Sequence, residues 1–127
     1  MKRLWSPWRM KYIISKKGEG CIFCDKIAEN NDEANYILHR GKTCYVMLNL
    51  YPYNNGHLMV SPYRHVPSPE QLAEEELTEM MLMVNRSLRA LRRAMRPDGF
   101  NIGVNIGKAA GAGIEEHVHI HIVPRWE

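Results

Sequence analysis

With 127 residues, 45% hydrophobic and 24% charged, the chain has the composition of an ordinary folded protein, long enough to bury a core without staples, and intrinsic disorder is excluded. Its net charge of +3 is far below that of a duplex-binding protein, so nucleic acid is not an expected partner, although a mild positive excess suits phosphate-bearing ligands. No apolar run is long enough to span a membrane, the basic N-terminus is broken by Ser6, Pro7, Arg9 and Lys11 and lacks a secretory h-region, and three cysteines, two of them in a C-x-x-C, fit a reducing, cytoplasmic setting.

Residues 1–13 read as an aromatic and basic arm carrying Leu4, Trp5, Trp8, Met10, Tyr12 and Ile13. Exposed tryptophans are costly, so the arm is expected to pack on its own core or on a second subunit. A polar turn at 15–20 leads into CIFCDKIAEN at 21–30, where Ile22, Phe23 and Ile27 fall on one side of a short helix. Strand-like runs at 35–39 and 43–48 flank the turn Arg40-Gly41-Lys42 and read as a hairpin. YPYNNG at 51–56 is dense in turn formers, and a strand resumes at 57–61.

A long helix follows. Ser68-Pro69-Glu70-Gln71 offers a cap residue, proline at the first helical position and a capping-box glutamine. Downstream, Leu77, Met80, Met81, Val84, Leu88, Leu91 and Met95 repeat at steps of three and four as one apolar stripe, on a single helix or on a short turn followed by a longer one. The arginines of 86–96 read as its solvated face, and Pro97-Asp98-Gly99 stops it.

Phe100, Ile102, Val104 and Ile106 then alternate with Asn101, Gly103 and Asn105 as a half-buried strand. After a glycine-rich loop at 107–113, His117, His119 and His121 alternate with Val118, Ile120 and Ile122, which puts three imidazoles on one strand face and branched apolar residues on the other. Pro124, which has no N–H for a ladder, is expected to end that strand. Strands, a helix and a final antiparallel pair, with no repeat or dividing linker, predict one α+β domain over 1–127. Its antiparallel meander sheet packs on one long helix, with a short N-terminal helix beside it.

Neighbouring histidines on such a strand stand about 6–7 Å apart, close enough to share a site. One would serve as a hydrogen-bonded polar residue, but three in register are costly on a plain sheet face, and imidazole can act as nucleophile, acid–base or metal ligand. The preceding loop, with Gly107, Gly111, Gly113 and Lys108 and with Asn105 just before it, offers backbone N–H groups and donors for an anion. Cys21-x-x-Cys24 is half a zinc site by spacing, its missing ligands to be sought among six histidines; a redox dithiol is the competing reading, but no βαβ unit is visible around it.

The run H-φ-H-φ-H-φ-φ at 117–123, the NIG and glycine-rich loop before it, GHLMVSPYRHV at 56–66, LNL at 48–50 and CIFC at 21–24 together resemble the histidine triad (HIT) family of nucleotide hydrolases and transferases, over nearly the whole chain. The arm LWSPWRMKYI and the ending VPRW resemble the branch that contains diadenosine tetraphosphate phosphorylases. The resemblance implies a HIT-like fold, a homodimer, and an enzyme that cleaves dinucleoside polyphosphates by phosphorolysis or hydrolysis. His119 would be the nucleophile that becomes nucleotidylated. His121 and Asn105 would hold phosphate oxygens, and His57 would be the motif's remote histidine. Ile22, Phe23, Ile27 and Leu50 match the base pocket, and Asn49 a polar ribose contact. Zinc-containing relatives add His65 and the first triad histidine to the paired cysteines, which gives Cys21, Cys24, His65 and His117 as ligands of a structural, closed zinc site.

Where many relatives carry Gln or Ser/Thr donors before the triad, this chain has Gly113 and Ile114, then Glu115 and Glu116, and it ends at Glu127 where relatives of the branch continue. The alternatives are hydrolysis of nucleoside phosphoramidates or adenylyl conjugates, and a non-catalytic, zinc-stabilised nucleotide-binding module.

Overall fold

The computed structural model describes residues 21–49, 56–111 and 117–127. The expected arm at 1–13, the turn at 15–20, Leu50, most of the turn at 51–56 and Gly113 lie outside the described residues.

The elements, in order, are helices α1 (Ile22–Glu29) and α2 (Asp32–Asn35), strands β1 (Ile37–Arg40), β2 (Cys44–Leu48) and β3 (Leu58–Pro62), a 3-10 turn (Pro69–Gln71), helix α3 (Glu74–Met95), strand β4 (Gly99–Val104), a 3-10 turn (Lys108–Ala110) and strand β5 (Ile120–Arg125). All five strands pair antiparallel in the order β1-β2-β3-β5-β4. This is the expected α+β class. The first three strands meander, but β5 inserts between β3 and β4 instead of continuing outward.

Paired residues share a face of the sheet. The registers Leu48↔Leu58, Leu58↔Ile122 and Ile102↔Ile122 therefore put even-numbered residues of β2 to β5 on one face and odd-numbered residues on the other. The even face, with Cys44, Val46, Leu58, Val60 and Ile122, packs on Met80, Met83, Val84 and Leu91 of α3. The odd face, with Tyr45, Met47 and Met59, packs on Cys21 and Phe23 at the start of α1. A register shift between Ile37 and His39 reverses the parity in β1, which is why His39 meets Arg86 of α3 at 3.3 Å.

Several expectations shift. Asn35 does not begin a strand; it ends α2, where its side chain donates to Glu29 Oε1 (2.9 Å) and to the Lys26 carbonyl, locking α1 to the hairpin. Of the two alternatives for the long helix, the short turn followed by a longer helix is the one found, with Ser68 and Pro69 starting only the 3-10 turn. The long helix begins at Glu74, where Glu76 accepts from the Ala73 N–H at 2.7 Å while Arg64 clamps the same carboxylate. The buried stripe runs through Met83 and Ser87, leaving Leu77 and Met81 39% and 53% exposed. The strand expected to be half-buried is an edge, with Ile102 48% and Val104 36% exposed. Pro124 lies inside β5, opposite Phe100. The ladder to β3 stops at Ile122, so past that point β5 needs a partner on one side only.

Candidate active site

Two neighbouring constellations lie on the odd face, and His117 belongs to both. Just before β5, its buried ring reaches the Pro62 carbonyl with Nε2 at 2.8 Å. A carbonyl only accepts, so Nε2 carries the proton and Nδ1 the lone pair. That lone pair faces Cys21 Sγ at 3.2 Å, Cys24 Sγ at 3.6 Å and His65 Nδ1 at 3.2 Å. The four ligand atoms all lie within 4.8 Å of one another.

This donor set fits a tetrahedral metal ion. Bonds of about 2.3 Å to sulfur and 2.0 Å to nitrogen give edges of about 3.3–3.8 Å, close to the 3.2–3.7 Å between His117 and Cys21, Cys24 and His65 and between Cys24 and His65. The hydrogen bond at the far nitrogen of His117 is the usual way a ligating histidine is oriented. Burial pushes the Cys21 thiol up to about 12 and lowers His117 to about 4. A buried thiol, a half-buried thiol and a neutral imidazole converging on one point are what a divalent cation would resolve, since coordination takes the thiol proton. Cys21 is placed for this because, as the residue before α1, it uses its side chain for no helix cap.

The second constellation runs along the same face. His119 Nδ1 sits 2.7 Å from the His117 carbonyl, and its ring centroid is 4.5 Å from that of Phe23. His121 Nδ1 is 3.0 Å from Nε2 of His57, whose Nδ1 is 3.1 Å from Asn49 Nδ2. His57 is buried, and burial, with His121 and Arg125 adding to it, lowers its pKa to about 4.

The fold thus brings together Cys21, Cys24, His65 and His117, and beside them His119, His121, His57, Asn49 and Phe23. Phe23 is nearly enclosed, its ring against both His117 and His119, while Ile22 and Ile27 are half-buried around the same small core. Asn105 is exposed and immediately follows the last β4–β5 pair, Val104↔Ile120; Lys108 and Gly111 lie exposed in the turn beyond. Two contributors had no signal in the sequence. One is the Pro62 carbonyl. The other is Tyr45, fully buried, whose hydroxyl donates to the Phe23 carbonyl at 3.0 Å and ties α1 to the sheet.

The HIT domain profile matches residues 30–127. An AP-4-A phosphorylase of Mycobacterium tuberculosis is 42% identical over 99% of this chain and 69% of its own length. Among solved structures, a hypothetical histidine triad nucleotide-binding protein from Sulfolobus tokodaii superposes with a TM-score of 0.75 at 31% identity, covering 84% of this chain and 70% of that one. A zinc-bound histidine triad family protein from Mycobacterium smegmatis superposes with a TM-score of 0.72 at 29% identity, covering 84% and 75%. Of the three histidines expected on one strand face, only His121 lies in β5, while His117 and His119 lead into it; with this alternation and this match over most of its length, the chain belongs to the HIT family.

Proposed function

We propose that the protein, one HIT domain over 1–127, cleaves dinucleoside polyphosphates, diadenosine tetraphosphate first among them, through a nucleotide held covalently on His119. The observation that carries this reading is the contact of His119 Nδ1 with the His117 carbonyl. It places the proton on Nδ1 and the lone pair on Nε2, the form in which imidazole attacks phosphorus. In the first step Nε2 bonds to an α-phosphorus, the bond from that phosphorus to its bridging oxygen breaks, and ATP leaves. In the second, an oxygen of inorganic phosphate attacks the same phosphorus, the P–N bond breaks, and ADP leaves with His119 restored; water in place of phosphate would give AMP. Asn105 and Lys108 donate to phosphate oxygens, where fixed donors stabilise spreading charge. Ile22, Phe23, Ile27 and Leu50 surround the base. The 42% identity to a protein named AP-4-A phosphorylase weights the reading toward phosphate as acceptor.

Cys21, Cys24, His65 and His117 hold a structural zinc ion in this reading, which is supported by their donor geometry and by the zinc-bound neighbour. When bound, the ion supplies a cross-link between α1, the segment after β3 and the start of β5. Cys21, Cys24 and Cys44 form no disulfide, which suits a cytoplasmic enzyme with two of them on zinc. The exposed apolar residues of β4 and α3 suit a homodimer. Among the described residues no helix is long and apolar enough to cross a membrane.

Intact-protein mass spectrometry after brief mixing with diadenosine tetraphosphate tests the reading. A nucleotidyl-sized increase on the wild type, absent from His119→Ala and discharged faster by phosphate than by water, is expected. Folded protein that binds nucleotide but never forms the adduct would instead mark a binding module.

A further inference from the structure

We propose that Asn49 is a positioning residue: by donating to His57 it decides which nitrogen of that ring carries the proton, and through His57 it places the proton of His121 on the nitrogen turned away from His57. The family resemblance implies a sugar contact for Asn49 instead.

The case is an inventory of donors and acceptors. The Asn49 N–H donates to the His57 carbonyl at 2.8 Å, continuing the β2–β3 ladder one pair past Leu48↔Leu58 and bringing both side chains to the histidine face. The Asn49 amide nitrogen, 3.1 Å from His57 Nδ1, can only donate, so Nδ1 accepts. A neutral imidazole that accepts at Nδ1 has its proton on Nε2, and burial keeps His57 neutral at working pH. Nε2 lies 3.0 Å from His121 Nδ1, so it donates there, and the remaining proton of His121 sits on its own Nε2. The chain Asn49 to His57 to His121 therefore points one way and ends in an N–H donor.

His119 has the opposite arrangement. Its Nδ1 meets a carbonyl, which can only accept, so its Nε2 holds a lone pair. Two imidazoles two residues apart, indistinguishable in the sequence, thus acquire opposite character from what touches Nδ1. An acceptor makes His119 a nucleophile, and a donor relayed from Asn49 makes His121 a hydrogen-bond donor. That His121 offers this donor to a substrate phosphate rests on the nucleotidyl-transfer reading; the tautomers themselves do not.

The test is long-range ¹H–¹⁵N imidazole spectroscopy on the full, ligand-free chain, for wild type, Asn49→Ala and Asn49→Asp, with backbone amide spectra confirming the fold of each. Expected are Nε2–H forms of both His57 and His121 in the wild type. Loss of that single form at His57 is expected in Asn49→Ala, and a proton on His57 Nδ1 in Asn49→Asp, where the carboxylate can only accept. An Nδ1–H form of His57 in the wild type, or imidazole spectra unchanged in both variants, would overturn the proposal. With substrate, Asn49→Ala is expected to slow adduct formation by about a hundredfold, at the low end for loss of a positioned proton-transfer group, while leaving nucleotide affinity little changed. Weakened affinity with unaltered tautomers would assign Asn49 to the sugar and also overturn it. If the wild type forms no adduct at all, the transfer reading falls, and the ligand-free spectra still decide the role of Asn49.

Discussion

His57 enters the folded state without its proton. Burial, then His121 and Arg125, lower its pKa from 6.5 to about 4. The unfolded chain takes up a proton near 6.5 and the native state only near 4, so unfolded molecules bind more protons between those values. The stability of the native state is therefore full above pH 6.5 and declines as the pH falls toward 4, by up to about 3 kcal/mol for this one ring. Urea unfolding of the wild type and His57→Gln at pH 7 and pH 4.5 should show a wild-type loss that the variant partly escapes; a stability difference that does not change with pH would refute this origin. At this scale the sequence was legible where chemistry followed a period. His117, His119 and His121 announced a shared face, and Cys21-x-x-Cys24 announced half a cluster, but only family resemblance pointed to His65. The contact between Asn49 and His57 was not legible, because it exists only once the β2–β3 register is chosen, and no local pattern around 51–56 encodes that choice.

Among the elements, the approach to β3 is the tightest. Gly56 has a φ of +79°, and a Cβ there would lie 2.6 Å from Met95 Sδ and 3.1 Å from Pro124 Cγ, so the residue before His57 must be glycine for both backbone and packing reasons. Gly56→Ala should destabilise by about 1–3 kcal/mol, read as a lower urea midpoint. Helix α1 is the other element that serves the site, since it brings Cys21 and Cys24 to His117 and lays Phe23 against His119. Zinc should bind at one equivalent and raise the melting temperature, and a strong chelator should reverse both; Cys21→Ser and Cys24→Ser should lose the uptake, measured by elemental analysis. Helix α3 shows why part of the pattern misled. Met80, Met81, Met83 and Val84 are all apolar, so steps of three and four fit more than one stripe. Packing on β2 and β3 selected the stripe with Met83 and left Met81 to solvent.

For the molecule as a whole, the sheet separates two tasks, with a helix-packed core on the even face and both constellations on the odd one. β4 ends the sheet with Ile102 and Val104 exposed, and Leu77 and Met81 of α3 are exposed too. If these surfaces pair two copies, Val104→Lys should shift the protein to monomer in light scattering at micromolar concentration; an unchanged dimer would place the interface elsewhere. The α+β class was readable from the element order. The insertion of β5 beside β3 was not, because strand order is a long-range choice that alternation leaves open.

The same alternation has a further consequence for β5. A strand whose pattern repeats every two residues specifies a face but not a position along it, so a slide of two residues would still present imidazoles outward and branched side chains inward, with His121 standing where His119 belongs. What removes this degeneracy is the strand's anchorage. His117 is held through Nε2 to the Pro62 carbonyl, Arg125 accepts from the Asp98 N–H at 2.8 Å, and the Trp126 indole donates to the Met95 carbonyl at 3.3 Å. In the proposed reaction the choice of nucleophile would be a matter of indexing: the strand supplies interchangeable teeth, and its two fastened ends would decide which one engages.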